Sequence, residues 1–208
     1  MMKIFVIITM VISLSNGTLL QEPRDKEPTD PGLKQVLLLG DSVMAGIGRS
    51  DQGMKYLETN FRVIFKAIGC QRLEAIGCTK SSVQSAFEIL KSNAGLFTKA
   101  VVVSTGYNEF DNSKAFRKTV LDFCGEASRQ GVQIVWLTYR EAGNVKKKAE
   151  GFNKILNAQV DTCKNLKILD WNALSKGKKG WFAGDEVHLQ GVGPLKMAQF
   201  IADFVDSN

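Results

Sequence analysis

Short apolar runs that alternate with helical patterns constrain the fold of this chain most strongly. Five runs are predicted as strands, at residues 35–39, 71–75, 100–104, 132–137 and 166–169. The run at residues 35–39 is typical of a strand buried on both faces, whereas the pattern at residues 71–75 is weaker. Helical periodicity occupies residues 82–91, 113–130, 145–163 and 195–205. The alternation predicts an α/β fold, with a parallel sheet covered by helices on both faces.

The first 32 residues lie outside this pattern. Residues 1–17 combine a lysine near the start, an apolar run over residues 4–14 and small residues at the exit, which predicts a signal peptide. The run is shorter than the ~20 residues that a membrane-spanning helix needs; a first buried strand is the alternative. Residues 18–32 carry three prolines and alternating charges, which predicts a flexible linker. We therefore expect one folded domain over residues 33–208, in a secreted or periplasmic protein.

The chain has four cysteines, Cys70, Cys78, Cys124 and Cys163. They form no CxxC pair and only one histidine is present, so we expect no metal site. An even number in an exported chain favours two disulfides. Three pairings are possible. We favour Cys70–Cys78, which would close a short loop, and Cys124–Cys163, which would join two helices; four buried free thiols are the alternative.

A serine follows the first predicted strand, where parallel sheets of this kind carry their active sites. Ser42 ends the sequence Gly40-Asp41-Ser42, on a sharp turn that can present its hydroxyl to solvent. A nucleophilic serine needs a base, and His188 is the only histidine. Asp185, three residues earlier, can accept from the imidazole Nδ1–H and fix its tautomer. A helix-capping serine and a structural histidine are the alternatives.

Other polar and glycine residues are predicted at the same edge of the sheet. Asn108 follows the third strand and can donate its side-chain N–H to an oxyanion. Gly77 follows the predicted second strand, where its backbone can approach a substrate closely. Tyr107, Tyr139 and Arg140 are the candidates for lining the substrate pocket. A helix cap, a turn glycine and exposed loop residues are the corresponding structural alternatives.

Together these residues resemble the SGNH (GDSL-type) hydrolases, whose motif blocks they match in chain order. Gly40-Asp41-Ser42 is similar to the first block, Gly77 to the second, Gly106-x-Asn108 to the third and Asp185-x-x-His188 to the last. The resemblance implies a flavodoxin-like, five-stranded parallel sheet in three α/β/α layers. It implies catalysis by Ser42, His188 and Asp185, and an oxyanion hole formed by Ser42, Gly77 and Asn108. It implies no cofactor.

The resemblance narrows to the extracytoplasmic SGNH domains of polysaccharide O-acetyltransferases. Asp170-Trp171, Trp181-Phe182 and Asp185-x-Val187-His188-Leu189 look like their counterparts there, whereas Glu186 stands where glycine is usual. Those domains act on acetylated peptidoglycan or surface glycans. We therefore expect an extracytoplasmic serine esterase that removes or transfers small acyl groups, chiefly O-acetyl.

The charge balance bears on the partners of the protein. Its 27 basic and 21 acidic residues give a net charge of +6, which suits an anionic polymer, although a solvated lysine-rich face is the alternative. The basic clusters Lys146–Lys148 and Lys176–Lys179 lack interleaved aromatic residues, so we expect no nucleic-acid binding. We expect a monomer without stable membrane insertion. The rival functions are a lysophospholipase- or thioesterase-like lipid esterase of the same fold and a non-catalytic wall-binding module.

Overall fold

The structure, a computed structural model, describes residues 33–78 and 83–207. The predicted signal peptide and linker lie outside the described residues. Within these ranges five strands form one sheet: β1 (Gln35–Gly40), β2 (Arg62–Ala67), β3 (Ala100–Ser104), β4 (Gln133–Leu137) and β5 (Leu166–Leu169). All neighbouring strands are parallel, in the order β2-β1-β3-β4-β5. The predicted flavodoxin-like, three-layer fold is confirmed.

Helices cover both faces of the sheet. The described ranges contain α1 (Ala45–Gly48), α2 (Asp51–Asn60), α3 (Ala86–Ser92), α4 (Ser113–Gln130), α5 (Lys146–Gln159), α6 (Trp171–Ser175) and α7 (Gly193–Ser207). Successive strand residues point to opposite faces. Leu37 and Leu39 therefore pack with α3, α4 and α5, whereas Val36 and Leu38 pack with α1, α2, α6 and α7. Among the described residues, no helix is long and apolar enough to cross a bilayer.

The predicted second strand at residues 71–75 is wrong. The strand beside β1 is β2, which pairs with it in register from Gln35 with Arg62 to Gly40 with Ala67. Residues 71–75 are not part of the sheet, in which β2 is the edge strand beside β1. They form an irregular loop in which Leu73 packs into the core. Helix α2 is a further element, and it was not predicted from the sequence.

The helix predicted at residues 113–130 is confirmed as α4. The residues at its two ends explain why it begins and ends there. The Asn112 side chain accepts a hydrogen bond from the Ala115 N–H at 3.0 Å, as an N-cap residue does. At the other end Gly131 adopts φ +69°, the left-handed conformation in which helices commonly end. The two capping residues, Asn112 and Gly131, therefore account for the bounds of α4.

Both favoured disulfides are present. Cys70 and Cys78, with Cα atoms 5.2 Å apart, close the loop that follows β2. Cys124 and Cys163, with Cα atoms 6.0 Å apart, join α4 to the turn beyond α5 rather than to a second helix. Such links stabilise a fold mainly by restricting the unfolded chain.

Candidate active site

The structure brings Ser42, His188 and Asp185 together. Ser42 lies in the turn between β1 and α1, and its Oγ is 2.8 Å from Nε2 of His188. Nδ1 of the same imidazole is 2.5 Å from Oδ2 of Asp185. These contacts form a continuous series of hydrogen bonds from the hydroxyl through the imidazole to the carboxylate. Such a series can move a proton from the serine to the imidazole and stabilise the resulting imidazolium.

Asp185 and His188 belong to a short segment at residues 183–189, the His188 turn, which is held largely by its own backbone. Oδ1 of Asp185 accepts hydrogen bonds from the N–H groups of Val187 and His188, at 2.9 and 3.0 Å. Partial burial acts to raise the pKa of Asp185, but the hydrogen bonds from the His188 ring and the two N–H groups outweigh it and lower the pKa to about 2. The carboxylate is therefore charged throughout the neutral pH range.

Arg140 supports the His188 turn from below. Its Nε donates to the Glu186 carbonyl at 2.6 Å and its Nη1 donates to the Ser175 carbonyl at 2.7 Å. Its guanidinium also lies 4.0 Å from the ring centroid of Phe182. Only 7% of Arg140 is exposed, and it does not line the pocket at Ser42. The structure thus places this predicted substrate-binding residue beneath the His188 turn.

Asp41 connects two segments of the site by hydrogen bonds: the turn that contains Ser42 and the segment that follows β3. It is fully buried. Its carboxylate accepts from the N–H groups of Val43 at 3.0 Å, Gly106 at 3.1 Å and Tyr107 at 3.1 Å. Burial raises the pKa of Asp41 to about 6, although the three N–H groups act in the opposite direction. One side chain therefore sets the distance between Ser42 and residues 105–110, the Asn108 loop.

Asn108 faces the same pocket as Ser42. Its Nδ2 donates to the Gln71 carbonyl at 3.1 Å, and an amide nitrogen carries a second hydrogen that can serve an oxyanion. Cys78 lies beside it, with Sγ 3.9 Å from Asn108 Oδ1. Gly77, in contrast, donates its N–H to the Val83 carbonyl at 3.1 Å and does not line the pocket. The structure brings Asn108, but not the Gly77 N–H, to the serine.

The pocket at Ser42 is small, with a volume of about 190 Å³. It is lined by Ser42, Val43, Tyr107, Asn108, Asn144, Val145, Asp185, Val187 and His188. Tyr107 therefore lines it as predicted, whereas Tyr139 is 2% exposed and lies in the core, its hydroxyl donating to the Thr105 carbonyl. Asn144 and Val145 also line this pocket and were not predicted from the sequence. Their position shortly after the fourth predicted strand is the signal that could have found them.

Comparison with solved structures identifies the fold. The catalytic domain of Streptococcus pneumoniae peptidoglycan O-acetyltransferase A, solved with a methylsulfonyl adduct, is 20% identical, with a TM-score of 0.58 over 84% of this chain and 92% of that one. A GDSL-like lipase from Bacteroides thetaiotaomicron is 15% identical, with a TM-score of 0.62 over 84% and 88% of the two chains. An acetyl xylan esterase is 16% identical, with a TM-score of 0.57 over 82% and 99%. The chain therefore has the SGNH (GDSL-type) hydrolase fold.

The similarity lies in structure rather than in close sequence relationship. No protein-family model matches the sequence, and no curated protein matches it significantly. At these identities the solved structures inform the fold, and function has to be argued from the site.

Proposed function

We propose that this protein is an extracytoplasmic serine esterase that removes small acyl groups, chiefly O-acetyl, from a glycan. The observation that carries the proposal is the chain of contacts from Ser42 through His188 to Asp185, which opens onto a pocket containing Asn108. Nucleophile, base, orienting acid and oxyanion donor are the four parts that acyl transfer requires.

Each group has a defined role in the proposed reaction. His188 Nε2 takes the proton of Ser42 as Oγ attacks the acyl carbon, and Asp185 stabilises the imidazolium that forms. The second N–H of the Asn108 amide and the N–H of Ser42 hold the oxyanion of the tetrahedral intermediate. His188 then returns the proton to the departing alcohol. A water molecule, activated by the same histidine, releases the acyl group from Ser42.

The size and lining of the pocket favour a short acyl group. Its volume of about 190 Å³ is below the roughly 300 Å³ at which pockets for drug-sized ligands begin. Val43, Val145 and Val187 supply apolar walls beside the serine. A methyl group fits such a site, whereas a long acyl chain would have to leave it.

The glycan and the compartment are supported by features outside the site. The signal-peptide pattern at residues 1–17 and the two disulfides favour an oxidising, extracytoplasmic location. The net charge of +6 favours encounter with an anionic polymer, an attraction that salt weakens. Two proteins of similar fold are named for acetylated polysaccharides, the peptidoglycan O-acetyltransferase and the acetyl xylan esterase.

The serine chemistry is tested by covalent labelling. We expect a fluorophosphonate to label a single peptide, the one that contains Ser42. Ser42→Ala should abolish the label, and Ser104→Ala, which removes a buried serine at the end of β3, should leave it in place. A label on another residue, or none on folded protein, would contradict the mechanism and favour the non-catalytic wall-binding module.

The substrate is tested by acetate release. We expect the protein to free acetate from O-acetylated peptidoglycan or xylan and to hydrolyse p-nitrophenyl acetate faster than the octanoate. The Ser42→Ala variant is the blank for both assays. Rates that climb with chain length, with no acetate freed from any glycan, would move the function to a lipid esterase.

The lipid esterase is kept as a second candidate because of an apolar cavity at the carboxyl end of β2. Its volume is about 460 Å³, and its lining is Phe65, Lys66, Ala67, Ile68, Gln71, Val83, Gln84 and Ile89. The Ile68 N–H donates to the Gly40 carbonyl, which places this cavity beside the strand that leads to Ser42. No residue lines both this cavity and the Ser42 pocket in the described part of the chain, so the short-acyl function is preferred.

A further inference from the structure

Lys148, on the first turn of α5, reaches the Asn108 loop. Its Nζ donates to the Tyr107 carbonyl at 2.7 Å and to the Glu109 carbonyl at 2.9 Å. These are the carbonyls of the two residues that flank Asn108. The ammonium group therefore spans the peptide segment from which the Asn108 side chain projects.

The environment of Lys148 differs from that of the lysines before it. Lys146 and Lys147 are exposed, whereas Lys148 is half-buried. Within residues 33–78 and 83–207, no carboxylate pairs with its ammonium at ion-pair distance. Burial lowers the pKa of Lys148, although the charges of Asp111, Glu109 and Asp41 oppose that effect. A partly desolvated ammonium is costly unless its hydrogen bonds are satisfied, so the two carbonyls hold it in place.

The other contacts that hold the Asn108 loop do not bind the two carbonyls to which Lys148 donates. Asp41 binds the N–H groups of Gly106 and Tyr107, and the Glu109 side chain accepts from the Leu73 N–H at 2.7 Å. Neither contact holds the carbonyls on the two sides of Asn108. An oxyanion donor works only if it is held where the charge develops.

We propose that Lys148 is a positioning residue that holds Asn108 in place as an oxyanion donor. This inference rests on the esterase function proposed above. Lys148 itself does not line the substrate pocket. It acts by bonding the two flanking carbonyls, so that the Asn108 amide keeps one N–H on Gln71 and aims the other at the reacting oxygen.

The first test compares Lys148→Met with Lys147→Met, which removes an exposed lysine from the same helix turn. We expect Lys148→Met to lower kcat for p-nitrophenyl acetate by roughly 10- to 100-fold and to leave KM within about twofold, because Asn108 acts on the transition state. Lys147→Met should match the wild type. Wild-type kcat in folded Lys148→Met would overturn the inference.

A double-mutant cycle separates positioning from a general structural effect. If Lys148 acts through Asn108, Lys148→Met should add less than about twofold to the loss already caused by Asn108→Ala. Fully additive losses would overturn the inference. Should Lys148→Met fold poorly, Lys148→Gln and Lys148→Arg enter the same cycle; the arginine, which can still donate to both carbonyls, should recover most of the activity.

The side-chain amide signals of Asn108 in ¹⁵N-labelled protein give a readout that does not depend on activity. They should shift or broaden in Lys148→Met and stay unchanged in Lys147→Met. Unchanged Asn108 signals in Lys148→Met would overturn the inference even if the esterase function holds. Wild-type protein without Ser42-dependent hydrolysis would instead overturn the esterase function, and the shifted signals would still show that Lys148 holds Asn108.

Discussion

The His188 turn and the Asn108 loop line the same small pocket but are held in different ways. The His188 turn is closed by short-range bonds: the Ala183 N–H donates to the His188 carbonyl and the Glu186 N–H donates to the Ala183 carbonyl. It stays open to water, with 47% of the Asp185 side chain and 45% of the His188 side chain exposed. The Asn108 loop is held by residues far away in sequence, namely Asp41, Gln71, Leu73 and Lys148.

The difference shows how the two halves of the site respond to change. A turn closed by its own backbone depends on a few neighbouring residues, with Arg140 as its main outside support. A loop held from several directions depends on the packing of the whole sheet edge. Damage to the turn should therefore reduce activity more than stability, whereas damage to the loop should reduce both.

The largest effect is expected where Ser42 contacts the His188 turn. Ser42→Ala and His188→Ala should each lower kcat by about 10⁴-fold or more, and the double variant should be scarcely worse, because these groups act as a unit. The melting temperature should stay within a few degrees, because both side chains lie at the pocket surface. Steady-state kinetics and thermal unfolding check both statements; wild-type turnover by Ser42→Ala would remove the proposed mechanism.

Two glycines test the comparison directly. Gly106, at φ +144°, begins the tight part of the Asn108 loop, and an added Cβ would lie 2.2 Å from the Tyr139 hydroxyl. Gly143, at φ +55°, faces the His188 turn, and its Cβ would lie 2.3 Å from the Asp185 carbonyl oxygen. Gly106→Ala should destabilise the fold by about 2–4 kcal/mol, because the buried Tyr139 cannot move away.

Gly143→Ala should destabilise the fold less, because the exposed turn can shift outward. That shift misplaces Asp185 and should lower kcat by roughly 10- to 100-fold. Denaturant unfolding gives the free energy of unfolding of both variants, and steady-state kinetics gives their kcat. Equal losses of stability and of kcat in the two variants would show that the two segments are held in the same way, and the reverse pattern would contradict the comparison.

On the acid side of the pH profile, kcat/KM should fall by about tenfold for each pH unit. His188 must be neutral to accept the serine proton, so kcat/KM should rise with pH through the range where histidines titrate. Asp185, with its pKa lowered to about 2, keeps its charge throughout. A flat profile through this range, with chemistry rate-limiting, would exclude a histidine base.

The stability of the fold should respond to pH in opposite ways at the two carboxylates. The lowered pKa of Asp185 gives a contribution that is present above its ordinary value of 3.8 and is lost as pH falls through about 2. The raised pKa of Asp41 gives one that is complete below 3.8 and is lost as pH rises through about 6. Thermal unfolding from pH 4 to 7 should therefore report Asp41, and Asp41→Ala should remove that slope.

The smallest effect is expected at Glu186, which adopts the left-handed conformation at φ +63° between Asp185 and His188. Glu186→Gly should raise stability by up to about 1 kcal/mol, because glycine occupies this region without the Cβ penalty. Activity should stay within about twofold, because the carbonyl that Arg140 binds is retained. Glu186→Ala is the matched control: it removes the carboxylate but keeps the strain, so it should give no such gain.

Features with local physical signals could be predicted from the amino-acid sequence. Buried strands ending at Gly40 and Ser104, the capped helix α4 and the spacing of Asp185 and His188 could be read directly, because strand burial, helix capping and turn bonds act between near neighbours. The cysteine count and spacing led to both disulfides. The position of Ser42 at a strand end followed from the parallel sheet.

Which residues meet across the sheet edge could not be predicted and depends on how the chain folds. Residues 62–67, not 71–75, form β2, because their backbone aligns in register along the whole of that edge of β1. Tyr139 lies in the core and Arg140 lies beneath the His188 turn, rather than in the expected pocket. Lys148 belongs to a basic cluster in the sequence but donates to the carbonyls beside Asn108. Hydrogen bonds between residues 30 to 70 positions apart leave no periodic trace in a sequence, so only the folded chain reveals them.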